Sequence, residues 1–374
     1  MKRFLIILAF SVAVFSCVYP YEEALQTPEN PVLTVDGNIV IGGYSNLSVG
    51  YLMGFDGNYP QGKKAPVLES WWVEDEDGTK YFPKTPDGLA DTRLLDPSHR
   101  YRIVAVADGI TCMSEFAKTL APPTVTDIEF QEFPSTVHVN VSLSPSEDNT
   151  GYIALDYEEI WEFHALLVQE YDIQEVGDGY YKYVSPPLQA PNYWCWKQNK
   201  LLNPITLDIS YTEGDVKNYG IISFMKTNDR NHRAYYVKVR ARTLTEEEYR
   251  FLSNLELEGD AANNLFSPNP GEVPGNVYCA DGSADRVLGY VSVFQGSSLT
   301  ANLDSRYLKP TGRPDDSFFA KANPESMALL YYEYDFRPVM DLFDDNGPYI
   351  GWANRRCVEC TLDGGSLEKP EFTY

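Results

Sequence analysis

Residues 101–116 read Tyr-Arg-Ile-Val-Ala-Val-Ala-Asp-Gly-Ile-Thr-Cys-Met-Ser-Glu-Phe. Two β-rich runs, 101–107 and 110–116, flank Asp108-Gly109. Both central positions of a type I′ turn need positive φ, which aspartate tolerates and glycine adopts freely, so Asp-Gly between such runs predicts a tight hairpin. The same signal recurs upstream. Residues 70–82 are expected to fold back at Asp77-Gly78, and residues 32–41 to form a strand pair or one bent strand around Asp36-Gly37. Short strands separated by such turns predict an immunoglobulin-like β-sandwich over residues 31–121.

Pro122-Pro123 ends that unit, because neither proline can donate to a strand ladder and each pushes the residue before it into extended geometry. A larger β-rich domain is expected over 124–374. In it Val137, Val139, Val141 and Leu143 alternate with His138, Asn140, Ser142 and Ser144, the period of a strand with one buried face. Further strands are read at 152–155, 205–211, 219–225, 235–242 and 287–294. Thr245-Glu246-Glu247-Glu248 matches a capping box, and Tyr249, Leu252 and Leu255 follow at helical spacing, so a helix should start there and end near Gly259. A shorter helix is expected around 340–343. The fold class is mainly β, with one or two short helices. The 27 tyrosines, 25 prolines and 26 glycines agree with strands and turns.

The chain opens with Met1-Lys2-Arg3, an apolar run from Phe4 to Phe15, then Ser16-Cys17. The run falls within the roughly 7–15 residues of a signal peptide core and short of the ~20 that span a bilayer. A small residue directly before a cysteine marks a lipoprotein site, so residues 1–16 are read as a leader, Cys17 as the acylated residue and 17–30 as anchor and tether. Membrane attachment through acyl chains at Cys17 is expected.

The formal charge is -24, and losing Lys2 and Arg3 with the leader takes it to -26. So acidic a surface lacks the basic footprint of a nucleic-acid binder. Cys112, Cys195, Cys279, Cys357 and Cys360 remain after Cys17. Export into an oxidising compartment favours disulfides. Cys357-x-x-Cys360 lacks the helix-start setting of a redox pair and lacks zinc partners, so a structural bridge is expected, within the pair or from one member to Cys195.

Other constellations weigh against catalysis and metals. Aligning Gly78 or Gly347 with the sixth position of a calcium loop puts Val73 and Lys84, or Leu342 and Ala353, at the first and last ligand positions, and neither pair fits. No Gly-x-Ser-x-Gly, His-Glu-x-x-His or phosphate-binding glycine loop is present. No metal or cofactor is expected. Lys238, Arg240 and Arg242 share one face of a strand and are candidate contacts for a carboxylated ligand or a partner, against cross-strand pairing with acids. Trp71-Trp72, Trp161, and Trp194 with Trp196 are expected mainly to pack in the core, with at most one ring of each pair exposed.

Several separated segments act together as a signature: the lipoprotein start, Val35-Asp36-Gly37, Trp194-Cys195-Trp196-Lys197, Leu244-Thr245, Pro274-Gly275-Asn276-Val277, Val287-Leu288-Gly289-Tyr290, and the tail Cys357-Val358-Glu359-Cys360 with Gly364-Gly365 and Lys369-Pro370. Together they resemble the domain-of-unknown-function 4249 family of Bacteroidota envelope lipoproteins. Cys112 and Cys279 depart from the family pattern, as does the ending Phe372-Thr373-Tyr374. Members of that family are commonly encoded beside TonB-dependent transporters, which implies an accessory role in nutrient capture. The function expected is therefore that of a non-catalytic outer-membrane lipoprotein, accessory to nutrient capture of a small ligand or to such a transporter. The alternatives are a structural or adhesive surface protein and an envelope hydrolase.

Overall fold

The computed structural model describes residues 32–52, 64–185, 192–212, 214–261, 275–284, 286–304 and 319–373. The leader, Cys17 and the tether 17–30 lie outside the described residues. The fold is β-rich throughout. Among the described residues, eight strands precede Pro122-Pro123: β1 (Leu33–Val40), β2 (Tyr44–Tyr51), β3 (Leu68–Asp75), β4 (Lys80–Tyr81), β5 (Ala90–Asp91), β6 (Arg100–Ala107), β7 (Ile110–Ser114) and β8 (Ala117–Lys118). Asp108 (φ 48°) and Gly109 (φ 75°) both take positive φ between β6 and β7, as the Asp-Gly signal requires.

Asp36-Gly37 carries the same dipeptide to a different end. β1 runs straight through it, and the chain reverses at 41–43, where Gly42 has φ 82°. Gly37 answers to space: a Cβ there would meet Ile103 Cδ1 at 2.8 Å, and its N–H donates to the Tyr290 carbonyl at 3.0 Å. A glycine inside a strand often marks such a close approach.

Among the described residues, nine more strands follow: β9 (Thr124–Glu132), β10 (Thr136–Ser144), β11 (Tyr152–His164), β12 (Asp172–Gly177), β13 (Tyr180–Val184), β14 (Trp194–Lys200), β15 (Ile205–Asp208), β16 (Val216–Met225) and β17 (Ala234–Thr243). The sheet β16-β10-β9 packs on one built around β14-β11-β17, with β15 also on β11. Val137, Val139, Val141 and Leu143 are fully buried as their alternation predicts, against Ile153, Leu155, Val237 and Val239. One acid is buried with them. Glu159 accepts from Arg230, Asn199 Nδ2 and Tyr235 Oη, and Arg230 stacks on Trp161 at 4.3 Å, so the buried charge is paired and hydrogen-bonded.

Helix α1 (Glu246–Ala261) then starts on Thr245, whose Oγ1 accepts from Glu248 N at 3.1 Å, and runs slightly past the expected end. Beyond it lie β18 (Val277–Cys279), β19 (Val287–Leu288), β20 (Val291–Phe294) and β21 (Ser297–Asp304). The sequence reading assigns this stretch to the C-terminal domain; the structure corrects that for 277–294. β18 pairs antiparallel with β7, and β19 and β20 run parallel to β1, completing the two facing sheets of the first sandwich. Parallel pairing across some 250 residues leaves no local turn to read. β21 continues onto β17 of the second sandwich. One stretch of chain therefore belongs to both.

A smaller sheet, β22 (Ala320–Lys321), β24 (Gly347–Asn354) and β23 (Phe336–Asp344), encloses its own cluster of Leu167, Phe319, Val339, Leu342 and Val358. Residues 340–343, expected helical, lie in β23; a π-helical turn sits instead at Leu329–Glu333.

The return of β19 and β20 depends on Gly289, which has φ 118° and sits where a Cβ would lie 2.1 Å from the Val35 carbonyl oxygen. Gly289→Ala should destabilise the protein by on the order of 3 kcal/mol, from backbone strain plus overpacking. Urea unfolding measures this, and an unchanged midpoint would mean that the returning strand does not press on β1.

Candidate functional site

Helix α1 does not lie flat on the first sandwich. A cavity of about 740 Å3 opens between them, with Phe251, Leu252 and Leu255 on the helix side and Thr34, Asp36, Asn38, Asn46, Leu47 and Ser48 on the β1-β2 side. Leu288, Gly289, Tyr290 and Ser292 from the returning segment form the end wall, and Asn203 and Pro204 contribute from the second unit. The helical period puts Leu252 and Leu255 on one stripe, and β1 points Thr34, Asp36 and Asn38 the same way because side chains alternate along a strand. Leu52 and Leu255 stay 43% and 44% exposed at the rim, apolar surface that the fold itself does not cover.

The polar groups are placed by specific bonds. Asp36 Oδ1 accepts from Tyr290 N at 3.2 Å. Asp36 reaches solvent through the cavity yet is surrounded by protein, and that desolvation raises its pKa despite the backbone hydrogen bond. Tyr290 is pushed up to about 12, by burial first and by Glu248 second. Its ring lies 4.9 Å from Phe251 and stands between this cavity and another of about 790 Å3 on the far side.

Beneath the cleft, Arg242 of β17 pairs with Glu248 of α1, and Ser292 Oγ of β20 donates to the same carboxylate oxygen. All three residues are buried. In a full capping box the Glu248 side chain would turn back to the helix start. Here it serves the junction. Arg242 also stacks on Phe294 at 4.4 Å, and its buried Nε has no hydrogen-bond partner among the described residues.

Signature segments scattered along the chain meet at this place. Asn276 pairs with the Val291 backbone through both side-chain atoms, at 2.8 and 2.7 Å, mimicking one rung of a strand. Gly275 and Gly289 approach so closely that a Cβ on Gly275 would lie 1.7 Å from the Gly289 carbonyl oxygen. The family profile described as Domain of unknown function (DUF4249) matches residues 18–300. The chain belongs to the DUF4249 family. Among curated proteins none matches it. The matched span holds the cleft, the first sandwich and the second as far as the middle of β21, whereas β22, β23 and β24 lie past its end in this DUF4249 chain.

A second meeting point lies around Cys195. It is bonded to Cys360 with Cα atoms 5.8 Å apart, while Cys357 is a free, half-buried thiol. Of the two arrangements expected, the bridge to Cys195 is the one formed, tying β14 to the C-terminal segment. Gly365 is forced by this bridge, since its Cβ would sit 2.5 Å from Cys195 Cβ. Trp194 and Trp196 share the face opposite Cys195, and neither is buried, so core packing is corrected for both. Arg233 stacks on Trp194 at 4.9 Å and Lys369 on Trp196 at 5.1 Å. Trp71 is buried and Trp72 faces the other way under Lys80, as adjacency predicts.

The cation row is split by its neighbours. Arg240 pairs with Asp156 directly across the strands at 3.1 Å, Lys238 stands opposite Glu158, and Arg242 is committed to Glu248. The row is thus matched by acids and does not present one anion-binding face. Only Arg242 borders the cleft. Asp75, Asp77 and His99 come within 4.8 Å of one another, but Asp75 is engaged by His99 and by Asp77 N, which makes this an acidic turn tied to a histidine. Sequence reading missed the cleft itself. Asp36-Gly37 and Leu288-Gly289-Tyr290 were its visible traces, but nothing local says that they face one another.

Removing one partner of the junction strands a buried charge. Arg242→Met or Glu248→Leu alone should cost about 3–5 kcal/mol, whereas the double variant should recover much of that. A double-mutant cycle by chemical denaturation gives the coupling directly, and additive losses would deny it. Elsewhere, His232 stacks on His164 at 4.2 Å, accepts from His164 N at Nδ1, and is pushed down to about 4 by burial and then by His164. Its folded pKa is below the unfolded value near 6.5, so the unfolded chain takes up the proton first and stability is lost as pH falls from about 6.5 towards 4. His232→Asn should flatten that dependence between pH 6.5 and 5, as followed by thermal melts across the range.

Proposed function

We propose that this DUF4249 chain is a non-catalytic ligand-capturing lipoprotein, anchored at the outer membrane through acylated Cys17 and accessory to a TonB-dependent transporter. The carrying observation is the cleft between α1 and the first sandwich. Its volume falls within the roughly 300–1,000 Å3 of small-molecule sites, and it combines an apolar wall with a few fixed polar groups. Asp36 and the asparagines on the sandwich side suit a hydrogen-bond donor or a cationic group, and the leucines and Phe251 suit an apolar body. A net charge of -24 favours neutral or cationic ligands in the same sense.

The leader supports the anchoring half of the reading. The family match begins at residue 18, directly after Cys17. Ligand capture is favoured over adhesion because an adhesive sandwich needs no concave pocket between its units. It is favoured over hydrolysis because Glu248, the acid beneath the cleft, is committed to Arg242 and Ser292, and among the described residues lining the cleft Asp36 is the one carboxylate.

Gentle detergent extraction followed by affinity purification should recover a transporter, and native mass spectrometry of the same material should find a small molecule on the chain. Ser48→Trp, on the exposed side of the cleft, should remove the small molecule and leave thermal stability within about 0.5 kcal/mol. A protein that is recovered alone and empty would favour the adhesive reading. Globomycin should leave the leader uncleaved; normal maturation in its presence would deny acylation at Cys17.

A further inference from the structure

The fold makes Cys112 and Cys279 cross-strand neighbours. They stand opposite each other where β18 docks antiparallel on β7. The flanking hydrogen bonds fix the kind of pair they form. Ala280 N donates to Thr111 O at 2.8 Å and Glu115 N donates to Asn276 O at 2.9 Å, so 111 with 280 and 115 with 276 are hydrogen-bonded pairs. Bonded and non-bonded pairs alternate along an antiparallel ladder, which makes 112 with 279 a non-hydrogen-bonded pair. Cα atoms in such pairs lie about 4.5 Å apart with side chains on the same face. That is inside the ~4.4–6.8 Å range that disulfides span.

We propose that Cys112 and Cys279 form a second, oxidisable cross-strand pair that locks the returning segment onto the first sandwich. Both are free thiols here, Cys112 fully buried and Cys279 half-buried. Cys279 Sγ donates to Asp281 Oδ1 at 3.1 Å, and turning about its Cα–Cβ bond releases that contact and brings Sγ over Cys112. The exposure of Cys279 fixes the order of events. Its thiolate attacks the disulfide of an oxidant, a thiol–disulfide oxidoreductase or glutathione disulfide, forming a mixed disulfide and expelling one thiolate. Cys112 then gives up its proton to solvent and attacks Cys279 Sγ, expelling the second thiolate. The protein loses two hydrogens and two electrons, and the oxidant's disulfide becomes two thiols. Burial holds the Cys112 thiol up at about 11, so it is the slow, resolving partner, whereas Cys279 meets the oxidant.

The consequence reaches the cleft. β18 leads through the short segment 280–286 into β19 and β20, which carry Leu288, Tyr290 and Ser292 to its end wall. The bond would close a loop of 167 residues and fix the start of that wall to β7.

The test uses the purified chain treated with glutathione disulfide, alkylated while denatured and unreduced, digested, and mapped by mass spectrometry. The expected result is a Cys112–Cys279 linked peptide two hydrogens lighter than the separate peptides, beside the Cys195–Cys360 link and an alkylated Cys357. The oxidised protein should also melt several degrees above Cys279→Ser, a variant in which Cys112 stays alkylatable and the circular dichroism spectrum is unchanged. Full alkylation of both cysteines after oxidation, a reaction that stops at a glutathione adduct on Cys279, or a link from either residue to Cys357 would each overturn the proposal. Because the oxidant is supplied in the assay, the result stands apart from whether the chain is exported or binds a ligand.

Discussion

The contact among Arg242, Glu248 and Ser292 is the constraint on which the arrangement of the rest depends. It joins strand β17 of the second sandwich, the first turn of α1 and the strand that returns to the first sandwich. Desolvating two charges costs several kcal/mol for each ion, which only close geometry and additional hydrogen bonds offset, so such a trio gives little net stability and strong positional specificity. Its position explains the cleft. Fixed at its beginning, α1 carries its following turn over β1 and β2 without lying down on them, and Leu252 and Leu255 are left facing polar side chains across a gap.

The second organising fact is the path of residues 277–304. In one pass they complete the first sandwich through β18, β19 and β20 and then join the second through β21. Each partner lies far away in sequence, so the entropy of closing long loops has to be met before any of these contacts forms, and slow folding is expected of such a topology. The close backbone approaches along this path explain why Gly37, Gly275 and Gly289 stand where they do. At all three, a methyl group would fall on another part of the chain.

How much of this was legible follows from the range of the forces involved. Asp108-Gly109, the alternation from Val137 to Leu143 and the cap at Thr245 are local in cause, and each appears in the structure as read. Asp36-Gly37 was misread because a glycine kept for a distant neighbour looks the same as one kept for a turn. Residues 340–343 were misread because a short apolar run fits either period until its partners, β24 and the cluster around Leu342, are known. The Cys195–Cys360 bridge was legible as one of two arrangements, and the choice needed the fold. The cleft was not legible, since its walls come from several segments far apart in the chain, and no local pattern says that they face one another.

The position of β1 carries a mechanical consequence. This strand is the first of the described chain, and it is gripped on both edges, antiparallel by β2 and parallel by β19 and β20. A pull arriving through the residues before Leu33 acts along the strand, at right angles to the bonds to β2 and steeply to those on the parallel edge. The rungs would share that load at once, as in a lap joint, and would not open one after another like a zipper. A chain built this way can hang from its N-terminal end under drag while the two sandwiches, and the gap between α1 and β1, keep their shape.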